Sequence, residues 1–424
     1  MFYEFCGIDF GTTNSAVSVL SKNGNSELIK FDNDSTIPTA IYFPEYGDKT
    51  PQFGKNAIKN YINGGQGRFM RSLKRILGTD LMNLKTEVDG VYLSYEDIIT
   101  KFIKHLKDTS ELHTKRELTG VVLGRPVHFQ DFSPDSDKKA ESLLGTIARN
   151  LGFKDVCFQY EPIAAAYSHE KRLSKDVLAC VVDIGGGTSD FSIIRIGPDR
   201  YKNIDRKNDV LSNTGIRIGG NDYDRDLSIK CFMPELGYGT LLKPNPYNGR
   251  VLPVPFSPFV ALSEWSSVNT LYTYKEKKSV AQLYEQSAEP SKMQKLNEIV
   301  QKELGHTLLD KVEESKIALT SYNKISVTLD FLKEESCVNI DINSFEEAIY
   351  NNTNKVVESL KECIKNAGIS KESIDLVILT GGTTEIPFVK RNILSLFPNA
   401  SISEDDKLSS VAQGLVYSSQ YSVR

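Results

Sequence analysis

The sequence predicts an α/β protein that uses one structural plan twice. Three observations carry the prediction. A strand ending in aspartate and running into a glycine–threonine turn occurs near residue 9 and again near residue 183. The segments that follow each copy repeat the same order of helices and strands. The length, 424 residues, exceeds what one ordinary core serves and suggests two to three domains.

The first copy opens with a buried strand over residues 3–10 that ends in Asp9. The turn Gly11-Thr12-Thr13-Asn14 follows, then an apolar stretch at 16–20, a tight turn at Asn23-Gly24 and a third strand through Leu28-Ile29. Residues 177–183 open the second copy in the same way, with a strand ending in Asp183. The turn Gly185-Gly186-Gly187-Thr188 and the apolar run Phe191–Ile194 come next, and Gly197-Pro198 breaks the run.

The later parts also correspond. Ile98, Ile99, Phe102, Ile103 and Leu106 recur at helical spacing over 94–107. A strand at 121–124, a helix near 136–151 stopped at Gly152, a strand near 156–160 and a helix opened by Pro162 follow. In the second copy Phe345, Ile349, Val356, Leu360 and Ile364 mark a helix ended by Gly368. A strand at 376–379, a helix after Pro387, a short strand near 400–402 and a last helix from about Ser409 complete it. The chain divides on this reading into lobe I, residues 1–172, with an insertion at about 36–93, and lobe II, residues 173–424, with an insertion at about 222–320. The last helix, about 409–424, is expected to pack back near lobe I. The second insertion holds the proline-rich stretch 244–258 with Trp265 nearby, and helical patterning over 291–321. That stretch is expected to cover its own lobe, with a partner surface as the alternative.

Composition excludes several classes of function. The net charge of −4 offers no general attraction to nucleic acid or to an anionic membrane. No window approaches the length of apolar sequence that a membrane helix needs, and the start shows no export signal. The six cysteines lie far apart without a Cys-x-x-Cys, which reads as buried thiols in a reducing cytoplasm. The five scattered histidines give no metal-ligand spacing.

The duplicated turn points to phosphate. A strand that ends in glycines exposes successive backbone N–H groups, and such concavities attract anions. Thr12, Thr13 and Thr188 add hydroxyl donors. A triphosphate needs donors on two sides, and two facing turns supply them. Asp9 and Asp183 would then repel across the phosphates unless a cation lies between, and magnesium suits that place because it keeps most of its waters. There is no Gly-x-x-x-x-Gly-Lys-Ser/Thr, so this is not a P-loop protein.

Gly7-Ile-Asp-Phe-Gly-Thr-Thr-Asn-Ser15 resembles the first phosphate motif of Hsp70 proteins, and Val182-Asp-Ile-Gly-Gly-Gly-Thr-Ser-Asp190 resembles the second. The resemblance runs in family order through Leu73-Lys-Arg-Ile-Leu-Gly78, Tyr160-Glu-Pro-Ile-Ala-Ala-Ala-Tyr167, Gly219-Gly-Asn-Asp-Tyr-Asp224, Glu313-Glu-Ser-Lys-Ile-Ala-Leu-Thr320 and Leu379-Thr-Gly-Gly-Thr-Thr-Glu-Ile-Pro387. Length and the long second insertion look like the short bacterial Hsp70-like proteins of YegD type. The resemblance implies an actin-like ATPase fold, with two ribonuclease-H-like lobes and ATP or ADP held with Mg2+ in the cleft between them.

The same resemblance implies the site residues. Lys74, Glu161, Asp183 and Thr188 would be catalytic, with Lys74 near the γ-phosphate and Glu161 holding a water. Asp9, Asp183 and Asp190 would steady the water shell of the metal. Gly11, Thr12, Thr13, Asn14, Gly185, Gly186 and Gly187 would line the phosphates, and Gly219 and Gly220 would approach the sugar–phosphate side. Glu313, Lys316 and Thr320, at spacings of three and four, would present one helix face to the ribose and adenine. Gly381, Gly382, Thr383 and Glu385 would close the adenine pocket. Without the motif, Lys74 reads as a solvated helix lysine and Glu161 as a carboxylate favoured by a helix N-terminus.

Departures from the pattern matter. Glu385 stands where the family has an arginine that stacks on adenine, which a carboxylate cannot do. Pro134 falls where the family has an arginine used in interdomain signalling, and the last motif, Leu408-Ser-Ser-Val-Ala-Gln-Gly414, is partly degenerate. The sequence stops at Arg424, so the peptide-gripping domain of the family is expected to be lacking. The leading expectation is a slow ATPase switch that works through an unidentified protein partner, with a chaperone-related role implied by family analogy. A small-molecule kinase of the same superfamily, a nucleotide-sensing module without turnover and an actin-like filament former are the alternatives.

Overall fold

Short runs of β-branched and aliphatic residues, each ended by a glycine turn, set the first sheet, because such residues pack well on a pleated surface and glycine lets the chain reverse. In the computed structural model these runs are β1 (Phe5–Asp9), β2 (Asn14–Leu20), β3 (Ser26–Leu28), β4 (Gly120–Arg125) and β5 (Asp155–Tyr160). The structure describes residues 4–62, 64–130, 133–170, 172–200, 206–334, 336–404 and 409–422. Leu408, the first residue of the degenerate last motif, lies outside them. The second sheet holds β6 (Val177–Ile184), β7 (Ser189–Ile196), β8 (Val210–Ile216), β9 (Leu376–Thr380) and β10 (Ser401–Ser403).

The first sheet runs β3-β2-β1-β4-β5, with a short strand, Ile37–Pro38, paired to β2 off this path, and the second runs β8-β7-β6-β9-β10. In each the first three strands are antiparallel and the last two join in parallel. The register repeats as well. Asp9 pairs with Ala16 and Cys6 with Val19, while Asp183 pairs with Asp190 and Cys180 with Ile193, each second-copy residue being 174 positions on. Across the parallel edge Ile8 pairs with Leu123 and Val182 with Leu379. The fold is α/β and of the actin-like ATPase type.

Helices cover the sheets. α1 (Tyr95–Thr114) starts at a capping box, in which Ser94 Oγ accepts from the Asp97 N–H at 3.1 Å and Asp97 accepts from the Ser94 N–H at 2.9 Å. α2 (Pro134–Asn150) opens with proline at its first turn, as a missing N–H costs nothing there. Together they pack a core of Ile98, Phe102, Leu106, Leu144 and Ile147 on β1, β2 and β4. α3 (Glu161–Glu170) is buried along its whole length. It shares a second core with Phe5 and Val122 of the first sheet, Val181, Ile194 and Ile378 of the second, and Val411 and Leu415 of a later helix. α4 (Ile342–Asn366) and α5 (Pro387–Leu394) precede that helix, which is α6 (Ser410–Ser422). Ser18 Oγ on β2 donates to the Ala412 carbonyl of α6.

By internal packing the chain forms two units. The first comprises Met1–Gly220, Lys355–Glu385 and Val389–Arg424 and holds both sheets; the second comprises Asn221–Asn354 and Ile386–Phe388. The early insertion, within the first unit, contains a small sheet in the order Gln52–Phe53, Ala40–Pro44, Gly67–Arg71 and a 3-10 turn, Leu73–Ile76. The second unit is mainly helical, with Tyr274–Gln286, Pro290–Gln301 and Gly305–Ala318 and a hairpin of Lys324–Thr328 with Cys337–Asp341.

Two elements differ from the sequence reading. The helical pattern over 291–321 is two helices, broken where Glu303 takes φ 59°. β8 lacks an apolar alternation because its hydroxyls do the packing. Ser212 and Thr214 donate to the carbonyls of Cys363 and Ser359 on α4, at 2.7 and 3.0 Å.

Candidate nucleotide site

The two predicted turns meet in the first unit. β1 hands over to β2 through 10–13, and β6 to β7 through 185–188. A Cβ on Gly187 would lie 2.5 Å from Thr12 Oγ1, and one on Gly186 would overlap Thr13 Oγ1. Glycine is therefore needed on the second turn to admit the threonines of the first. Gly11 accepts from Thr39 Oγ1 and Thr13 accepts from the Thr39 N–H, both at 2.8 Å. Asn14, the first residue of β2, pairs with Pro38.

The second turn is fastened from two sides. The Gly185 N–H donates to the Thr188 carbonyl at 3.0 Å, and the Gly185 carbonyl accepts from the Gly220 N–H and from Thr383 Oγ1, each at 2.9 Å. This brings Gly219, Gly220 and Thr383 to the turn. Gly381 follows β9 with φ 79°, and a Cβ there would overlap the Ile184 carbonyl, so only glycine suits the place. Gly382 and Glu385 bound a 3-10 turn in which Glu385 is exposed.

Lys74 lies on the 3-10 turn and is buried, not a solvated helix lysine as it reads without its motif. Its Nζ donates to Glu161 Oε1 at 2.5 Å, with both side chains under a tenth exposed. Glu161 is the first residue of α3, where the helix dipole also favours a carboxylate. Asp9 ends β1 and Asp183 is the last residue but one of β6, and both lie within electrostatic reach of this pair. Burial, then the Glu161 charge, pushes the Asp9 carboxyl up to about 7, against the pull of Lys74. Burial pushes Asp183 well above the carboxylate range, helped by Glu161, Asp190 and Asp9. Burial and Glu161 raise Asp190 to about 7, opposed by hydrogen bonds from Thr188 and from the Val127 N–H at 2.6 Å. Burial acts to lower Lys74, but Glu161 and Asp9 outweigh it and hold the ammonium charged.

Four acids thus share one buried lysine. That donor set fits a divalent cation, since carboxylates pushed toward neutrality regain their charge beside one. Among the described residues no group of three acids, histidines or cysteines could hold a metal ion by itself.

Glu313, Lys316 and Thr320 belong to the second unit. Glu313 and Lys316 lie on the helix Gly305–Ala318, and Lys316 Nζ meets Asp224 Oδ2 at 2.8 Å. Thr320 is not on that helix face: the helix has ended, and its hydroxyl donates back to the Ile317 carbonyl at 2.7 Å. Thr39, which fastens both carbonyls of the first turn, was missed because a single threonine after proline carries no signal. Asp224, the partner of Lys316, lay inside a quoted motif without a role, since sequence does not show which of several acids turns inward.

Two sheets of one strand order whose glycine turns face each other over buried aspartates define the actin-like class of nucleotide-binding ATPase domains. The chain matches the family model described as Hsp70 protein over residues 5–236 and 282–420. It belongs to the Hsp70 family. As a member it is an ATP-binding protein, and the matched span leaves out 237–281. Among the described residues no helix is long and apolar enough to cross a membrane.

Proposed function

We propose that this protein is a slow, magnesium-dependent ATPase that serves as a nucleotide-controlled switch for a protein partner. The observation that supports it most is the buried Lys74–Glu161 pair set among Asp9, Asp183 and Asp190 where the two turns meet. On this reading the phosphates of ATP lie between the turn of lobe I, residues 1–172, and that of lobe II, residues 173–424. Thr12, Thr13, Thr188 and the backbone N–H groups of Gly186 and Gly187 donate to them, while Gly185 closes the turn on the Thr188 carbonyl. Lys74 and Glu161 orient a water for in-line attack on the γ-phosphorus, and Lys74 offsets charge on the phosphoryl oxygens. Positioning supplies most of the rate. Magnesium, when bound, supplies positive charge against the phosphate oxygens, and Asp9, Asp183 and Asp190 hold its water shell. The scattered cysteines, with no Cys-x-x-Cys, favour a reducing, cytoplasmic setting, although only Cys6, Cys180 and Cys363 are the buried thiols expected and Cys337 is exposed. A chaperone-related role rests on family membership alone.

The test is Lys74→Ala. Binding of ATP with magnesium is retained, and single-turnover hydrolysis falls by at least about tenfold, the usual scale for losing one transition-state contact. Full hydrolysis by this variant removes the mechanism.

A further inference from the structure

The span that the family model leaves out carries a surface of its own. Between Glu235 and Glu264 the chain has Lys243 and Arg250 but no carboxylate, within a protein of net charge −4. Neither cation makes an ion pair among the described residues; Lys243 Nζ donates to the Glu285 carbonyl at 2.8 Å. The same stretch exposes large apolar side chains: Tyr247 at 96 %, Phe256 at 68 %, Leu252 at 59 %, Leu241 at 49 % and Val251 at 47 %. Its other apolar residues, Val254, Phe259, Leu262 and Trp265, are buried in the second unit and anchor it.

The exposed stretch is held in shape. The Leu242 N–H donates to Leu252 at 2.8 Å, the Asn245 N–H to Arg250 at 2.9 Å and the Val254 N–H to Thr240 at 3.0 Å. Asn245 Oδ1 caps the tip by accepting from the Tyr247 N–H at 2.9 Å. Pro244, Pro246, Pro253 and Pro255 stiffen it further. Residues exposed in this way bring no stability to the monomer, and a preformed loop loses little entropy on binding. Aromatic and arginine side chains are those enriched where proteins meet.

We propose that residues 241–256 form a docking loop for a protein partner whose contacting surface is apolar at its centre and acidic around it. Tyr247, Leu252 and Phe256 enter the apolar centre, and Lys243 and Arg250 face the carboxylates. Two cations fall short of the four to eight or so that mark recognition of anionic lipid, which favours protein over membrane. The docking needs no ATP turnover and stands apart from the ATPase reading.

The experiment uses the full chain and two labelled synthetic peptides with one leucine–phenylalanine pattern, interleaved with glutamate in one and lysine in the other. Fluorescence anisotropy is expected to show the glutamate peptide bound at least about tenfold more tightly, with the preference shrinking as salt rises. Tyr247→Ser with Phe256→Ser, and separately Lys243→Glu with Arg250→Glu, each weaken it by about tenfold or more, while ATP hydrolysis and the unfolding midpoint stay unchanged. No binding, equal binding of both peptides, or indifference to these substitutions overturns the proposal. So does Tyr247-dependent binding to phosphatidylserine vesicles, or Tyr247-dependent self-association in sedimentation, in place of peptide binding.

Discussion

Lys74 and Glu161 show how much a single residue can owe to distant ones. Neither stands out in sequence: one is in a Lys-Arg pair, the other before a proline. Their pairing, 87 positions apart and out of water, is legible only through the motif, because spacing alone cannot bring a 3-10 turn to a helix start. Breaking a buried pair from one side strands a charge. Lys74→Met is expected to lower stability by about 3 to 5 kcal/mol, and adding Glu161→Gln to recover part of it. Urea unfolding of the two single variants and the double variant checks this; additive losses would show that the pair is not coupled. His105 makes a second case. It stacks on Phe53 with centroids 4.1 Å apart, and burial lowers its pKa from 6.5 against the pull of Asp108 and Asp32. The unfolded chain takes up that proton first, so the contribution is present above pH 6.5 and lost as pH falls below it. His105→Phe keeps the stack and removes the titration. Its stability should fall less than that of the parent between about pH 7.5 and about pH 5.5, as chemical unfolding at both would show.

At the scale of elements, strand–turn–strand units and amphipathic helices were legible because their periods are local. β1, β6 and α1 needed only a few residues each to declare themselves. β8 was not legible because its partners are carbonyls of α4, about 150 positions later, and hydroxyls that satisfy carbonyls look like loop residues. The crossing of α3 and α6 was equally hidden. A Cβ on Gly414 would overlap the Ala164 carbonyl, so the two helices approach as closely as backbones allow. On the neighbouring strand, a Cβ at Gly124 would lie 3.2 Å from both Glu161 Cγ and Leu415 Cδ1. The crossing therefore helps to place the first residue of α3, which is Glu161. Gly414→Val is expected to push the helices apart, cost about 1 to 3 kcal/mol and reduce ATP hydrolysis by more than it reduces ATP binding. Melting temperature and single-turnover rate, measured together, check this; a destabilised variant with an unchanged rate would separate the crossing from Glu161.

For the molecule as a whole, the duplication was legible because both copies kept the aspartate, the glycines and the order of elements. What sequence could not show is that the copies agree residue by residue in register, so that Asp190 occupies the place of Ala16 and gives the second turn a carboxylate the first lacks. This asymmetry adds Asp190 to Asp9, Glu161 and Asp183 against the one Lys74, and burial with mutual repulsion makes it unfavourable to charge all four without a cation. A triphosphate brings more of the same sign, so on electrostatic grounds ATP alone should bind poorly and ATP with a divalent cation well. Binding to turns contributed by both halves of the chain then stabilises the first unit by mass action, by about 2.7 kcal/mol at a hundred times Kd. Thermal unfolding with ATP should shift upward with magnesium and much less with a chelator, and Asp190→Ala should narrow that gap by relieving the repulsion. An equal shift with and without magnesium would mean that the carboxylates face away from the phosphates, and the roles assigned to Asp9, Asp183 and Asp190 would fall.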